Sequence, residues 1–141
     1  MRKATHLEQQ FGDAVYRFEL TPDQIFEIET GMPMNGGLVA GGVPRFFGLK
    51  PMPIFELFSN IISGRVEAEG GSLGNPFRSG ASMANICNVV RLALIGGGCD
   101  PAKARELVEE NAPPNRPLQE LWDLASAILY VSLVGMDEAN G

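Results

Sequence analysis

The chain has 141 residues, of which 45% are apolar and 20% charged, the make-up of one domain with a real core and not of a disordered segment. Its net charge is −6: residues 1–50 carry 5 basic and 6 acidic side chains, residues 51–141 carry 6 and 11, and no lysine or arginine cluster breaks the pattern. Nucleic acid requires several cations on one surface, so it is disfavoured as a partner. Met1-Arg2-Lys3 is not followed by the apolar stretch of a signal peptide, and no apolar run is long enough to span a bilayer, so no membrane association is expected. With only Cys87, Cys99 and His6, neither a disulfide framework nor a zinc set can be assembled. Both thiols are expected to be reduced and structural, in a cytosolic setting.

Residues 1–20 predict a hairpin turning at Gly12-Asp13. In its second strand Tyr16, Phe18 and Leu20 alternate with Arg17 and Glu19, the period of a half-buried strand. A lone hairpin is marginal in water, so its aromatic face must lie on helices. A first helix follows over 21–31: Thr21 is placed as N-cap, Pro22 suits the first helical position and Gln24 completes a capping box. Ile25 and Ile28 supply its buried stripe, and Gly31 can close it.

Residues 32–52 hold two Gly-Gly pairs and several prolines, which predict a loop, yet Phe46, Phe47 and Leu49 are costly to leave in water. They either tuck into the core or order against a partner. A helix is predicted over 53–63, with Pro53 at its start and Gly64 after its end. Ile54, Leu57, Phe58 and Ile61 form one stripe, while Phe55 and Ile62 widen it beyond what one packed face needs, as in a central or interface helix. Residues 64–81 are glycine-rich and predict a loop. A helix over 82–95 places Met83, Ile86, Cys87, Val90 and Leu94 on one side, with Arg91 its only charge. Gly96-Gly97-Gly98 separates it from a helix over 100–111, and a last helix over 116–135 carries Leu118, Leu121, Trp122, Ala125, Ile128 and Leu129. The sequence then ends in a polar, frayed tail, MDEANG. The predicted fold class is α+β, mostly α: a single domain over 1–141 with an N-terminal β-hairpin packed on a cluster of about five helices.

The glycine triplet raises the question of a phosphate-binding loop. LIGGGCDP lacks the strand, the glycine spacing and the lysine of a P-loop, and helical periodicity precedes it where a dinucleotide fingerprint needs a strand. Asp100 would also cap the following helix with Pro101 in the first turn, placing a carboxylate where an anion would bind. The triplet therefore predicts a left-handed C-cap and a reversal between helices, and no cofactor is expected. The acid pairs Glu109-Glu110, Glu67/Glu69 and Asp137-Glu138 are expected on solvated surfaces, in no apolar pocket suited to proton transfer. His6, the one imidazole, lies near no nucleophile motif, so neither catalytic nor metal-binding residues are assigned. What remains is apolar surplus. Phe46, Phe47, Leu49, Phe55, Ile62 and Trp122 are the candidate partner-binding residues, being of the types that anchor interfaces.

Four blocks carry a family resemblance: YRFELTPDQIFEIE, PIFELFSNIISG, NVVRLALIGGGCDPAKARELVEE, which is the most specific, and RPLQELWDLASAILYVSLVG. In order and spacing over most of the chain they resemble the small tail assembly proteins of alphaproteobacterial gene transfer agents and prophages, a family grouped with the tail assembly chaperones of long-tailed phages. Segments 32–52 and 64–82 depart from it, being longer and richer in glycine and proline. The resemblance implies a non-catalytic assembly factor in the bacterial cytoplasm that keeps the tape measure protein soluble while tail tube subunits assemble around it. Tape measure and tail tube proteins are the implied partners, and self-association stays open. One alternative is a structural tail or head–tail connector subunit retained in the particle. A remoter one is a small helix-turn-helix regulator, against which Glu106, Glu109 and Glu110 oppose Lys103 and Arg105.

Overall fold

The computed structural model describes residues 3–30, 51–69 and 82–137, with the side chains of 63–69 outside that description. Strand β1 (Lys3–Ala4) leads into the hairpin of β2 (His6–Phe11) and β3 (Ala14–Glu19). Helices α1 (Pro22–Thr30), α2 (Ile54–Glu69), α3 (Met83–Gly96), α4 (Pro101–Glu110) and α5 (Leu118–Val134) follow, and β4 (Met136–Asp137) closes the order. The architecture is α+β and mostly α, a hairpin laid on helices, as the patterning predicts.

Helix α3 is the centre. Its residues from Val89 to Leu94 are all buried, including Arg91, and it packs against β3, α1, α4 and α5. The hairpin covers it with one face: Phe11, Phe18 and Leu20 are buried, and the Phe11 and Phe18 rings meet edge to face, 5.7 Å apart at 82°. The hairpin register runs from His6 opposite Glu19 to Phe11 opposite Ala14. With a two-residue turn, Phe11–Ala14, Gln9–Tyr16 and Leu7–Phe18 are the hydrogen-bonded pairs, so the backbone groups of Arg17 and Glu19 point out from the hairpin's edge.

That edge is where the glycines act. A Cβ on Gly96 would lie 2.0 Å from the Glu19 carbonyl oxygen, and one on Gly97 would lie 2.1 Å from that of Arg17. Only glycines allow the end of α3 to lie on the strand, covering an edge that would otherwise be open to pairing. Gly98 has a different reason: its φ is +109°. There the Gly98 N–H donates to the Ile95 carbonyl (3.0 Å) and the Cys99 N–H to that of Leu94 (2.9 Å), a Schellman cap. Asp100 then accepts from the N–H groups of Ala102 (3.1 Å) and Lys103 (3.3 Å), with Pro101 in the first turn, as its sequence position predicts.

Local signals start the other helices too. Gln24 Oε1 accepts from the Thr21 N–H (3.0 Å) and from the Thr21 hydroxyl, so the glutamine half of the expected capping box forms while the hydroxyl is turned to the Gln24 side chain and not to the helix N–H groups. Ser82 Oγ accepts from Asn85 N–H at 3.1 Å. Helix α2 is capped from a distance: Glu29 of α1 accepts from the Ile54 N–H at 3.0 Å, 25 residues away.

Three expectations change. The helix predicted over 53–63 does not stop at Gly64 but runs to Glu69, so 64–69, including the Glu67/Glu69 pair, are helical and not loop. One interior glycine costs a helix only about 1 kcal/mol, and the residues after Gly64 include good helix formers and no proline. Met83, assigned to the buried stripe, is 44% exposed in the first turn of α3, before the helix enters the core. Among the residues taken as a frayed tail, Met136 and Asp137 pair with Ala4 and Lys3, joined by a Lys3–Asp137 ion pair at 3.1 Å. The chain reaches that pairing by reversing at Gly135, whose φ is +85°. Residues 51–52 lie outside regular structure as expected, but Met52 is tied in, its N–H donating to the Ile28 carbonyl at 3.3 Å. Residues 31–50 and 70–81, with the Gly31 stop and the rest of both predicted loops, lie outside the described residues.

Candidate binding surface

Over residues 54–62 helix α2 carries a broad apolar face, and among the described residues its neighbours lie on one side only. Ile54, Leu57 and Ile61 point into the core and are at most 6% exposed. They face α5 and, near the helix start, α1. Phe55, Phe58 and Ile62 follow i, i+3, i+7 and form a second stripe on the outer side. Phe58 and Ile62 are half-buried, whereas Phe55 is 70% exposed. Burying a phenylalanine side chain stabilises a fold by about 1.5–3 kcal/mol, and this ring forgoes most of that.

Phe26 adds to the same region. It lies 52% exposed on α1, two residues before the buried Ile28 and thus on the opposite side of that helix. Glu29, one turn later on the outer side, bonds to Ile54, the residue before Phe55. The two exposed rings therefore flank the point where α1 meets α2. Phe26 was not among the sequence candidates, although its position off the Ile25/Ile28 stripe signals it.

Of the sequence candidates, the structure brings Phe55, Ile62 and Trp122 to α2 or its border. Trp122 is half-buried and packs on the core, and its indole N–H donates to the Ile61 carbonyl at 3.0 Å. It joins α5 to α2 and is not a free anchor. Phe46, Phe47 and Leu49 lie outside the described residues. Other exposed apolar side chains sit elsewhere, among them Val15 (61%) on the hairpin and Tyr130 (51%) with Val134 (50%) on the last turns of α5.

Among the described residues the charges around this face are acidic. Asp23, Glu27 and Glu29 lie on α1 and Glu56 on the first turn of α2, while α1 and residues 54–62 of α2 hold no lysine or arginine. Glu27 is matched from below by Arg91, whose guanidinium lies 3.4 Å away and also donates to Asn88 Oδ1 at 2.8 Å. Burial lowers the Arg91 pKa, opposed by the nearby Glu27 carboxylate. Its role is to fix α1 on α3, because a buried cation is tolerated only with its partners in place.

Other chemistry-bearing groups are dispersed. His6 is half-buried on β2, opposite Glu19 in the register. Cys87 is buried on α3, its thiol pushed up to about 11 by that burial; Cys99 is part-buried and also raised, by burial and then by Asp100. A cavity of about 100 Å³ between the hairpin turn and the α4–α5 connection is lined by Gln9, Phe11, Asn111 and Arg116, the last ion-paired with Glu120 at 3.9 Å. Among the described residues no group of three or more His, Cys, Asp or Glu side chains is placed to hold a metal ion, and no helix is long and apolar enough to cross a membrane.

No protein-family model, curated protein or solved structure matches the chain.

Proposed function

We propose that this protein is a non-catalytic tail assembly factor of the phage or gene-transfer-agent type, which binds the tape measure protein, and through it the tail tube, in the bacterial cytoplasm while particles assemble. The observation that carries the binding role is the outer stripe of α2, with Phe55 held in water, and Phe26 likewise exposed on the adjoining α1. A fold this small gains most from burying its large rings, so one kept outside at such cost fits a surface used by another molecule. The tape measure assignment rests on the resemblance of the four sequence blocks, above all the helix–glycine–helix stretch from Asn88 to Glu110. Its physical basis is that a long helical protein with exposed apolar stripes needs a cover, and a net charge of −6 keeps such a complex soluble.

Co-expression with a phage or gene-transfer-agent tape measure protein tests this reading. The tape measure protein should move from the insoluble to the soluble fraction and co-purify with this chain. If it stays insoluble and no complex is recovered, the reading is wrong.

A further inference from the structure

We infer that the outer face of α1 and α2 docks an amphipathic helix whose apolar stripe is bordered by lysine or arginine; this rests on the binding role proposed above and names its surface and the chemistry of its partner. The surface is short and defined. From Phe55 to Ile62 the outer stripe of α2 runs seven residues, about 10 Å along the axis, the span of an i, i+3 or i+4, i+7 set on a facing helix. Phe26 is exposed on α1, which Glu29 ties to the start of α2.

Charge selects the partner. Among the described residues Asp23 and Glu56 have no basic side chain against them, Glu29 is engaged only with a backbone N–H, and Glu27 is matched by a cation, the buried Arg91. A second copy of this chain would set those carboxylates against their own kind, which costs stability at a contact. A helix with basic flanks would place cations on the carboxylates while its apolar stripe covered the rings. Attraction across such a rim weakens with salt, and truncating the central ring should act more strongly than altering any rim charge.

The test titrates the full-length protein with a labelled 18-residue peptide carrying leucine at i, i+3, i+4 and i+7 and lysine on its other positions, and with a matched peptide carrying glutamate instead. The lysine peptide should bind, more weakly as salt rises, and the glutamate peptide should not. Phe55→Ser should weaken binding about tenfold or more with the far-ultraviolet circular dichroism unchanged. Glu56→Lys should weaken it less. Val15→Ser, which removes a similarly exposed side chain from the hairpin (61%), should leave it as it was. Equal affinity of Phe55→Ser and the unaltered protein, or equal binding of both peptides, overturns the inference. So does a loss in Val15→Ser as large as that in Phe55→Ser. If the co-expressed tape measure protein is kept soluble by the unaltered chain and by Phe55→Ser alike, the surface is wrong and the binding role stands; the binding role fails only when the unaltered chain does not keep it soluble.

Discussion

Helices α2 and α3 both carry a broad apolar face and end in opposite situations. Helix α2 also holds Glu56, Arg65, Glu67 and Glu69, whereas α3 carries a single charge, Arg91. Helix α3 has a neighbour on every side, from β3 through α1 and α4 to α5, and even its arginine is enclosed. Helix α2 has α5 and α1 on one side and leaves Phe55 in water. A broadly apolar helix therefore states how much surface it can bury but not how much its own fold will use. The unused part of α2 is what makes it a candidate for binding, and the full use of α3 is what makes it the core.

That contrast can be broken by substitution. Leu94→Ala, at a fully buried position on α3, should destabilise the protein by about 2–5 kcal/mol in urea unfolding. A loss below about 1 kcal/mol would mean that α3 is not the packed centre. Gly97→Ala should cost about 1–3 kcal/mol or more, because its Cβ would meet the backbone of β3 at 2.1 Å, where no flexible side chain can yield. Gly98→Ala faces open space and should cost only the strain of its left-handed backbone, about 1–2 kcal/mol. Equal effects at the two positions would remove the close approach from the account.

A smaller effect comes from pH. The folded-state pKa of Cys87 is raised from 9.0 to about 11, because burial disfavours the thiolate. Its contribution to stability is thus complete below pH 9 and is lost as pH rises through about 11. The urea midpoint should fall across that window, with Cys99 acting in the same direction. In native protein at pH 8 the enclosed Cys87 should resist a thiol reagent and react on unfolding; rapid native labelling of both thiols would contradict the enclosure of α3. The smallest effect belongs to the other helix. Phe55→Ser should change stability by no more than about 0.5 kcal/mol, since its ring is mostly in water already.

What could be read from the sequence was local. Thr21 with Gln24 and Asp100 with Pro101 mark helix starts through contacts a few residues apart; the Asp100 cap forms as its spacing predicts, and at Thr21 the Gln24 half of the box does. Gly98 was legible as a left-handed cap for the same reason. Gly96 and Gly97 were legible as part of a joint, but their contact with β3 spans some eighty residues of sequence and leaves no local mark. The same holds for the Glu29 cap on Ile54, the Glu27–Arg91 pair and the pairing of β1 with β4. At the candidate surface, Phe55 and Ile62 showed themselves by falling off the Ile54/Leu57/Ile61 stripe. Trp122 was chosen for its residue type alone, and type does not reveal that its indole N–H is bonded to α2.

The central claim is that α1 and the outer side of α2 form the surface another helix covers. Amide hydrogen exchange of the protein, alone and in complex with the co-expressed tape measure protein, tests it most directly. Binding should slow exchange in Pro22–Thr30 and in residues 54–62, and leave α3, already enclosed by its own neighbours, nearly unchanged. Protection confined to the β2–β3 hairpin or to α4, with α1 and α2 exchanging as in the free protein, would contradict it.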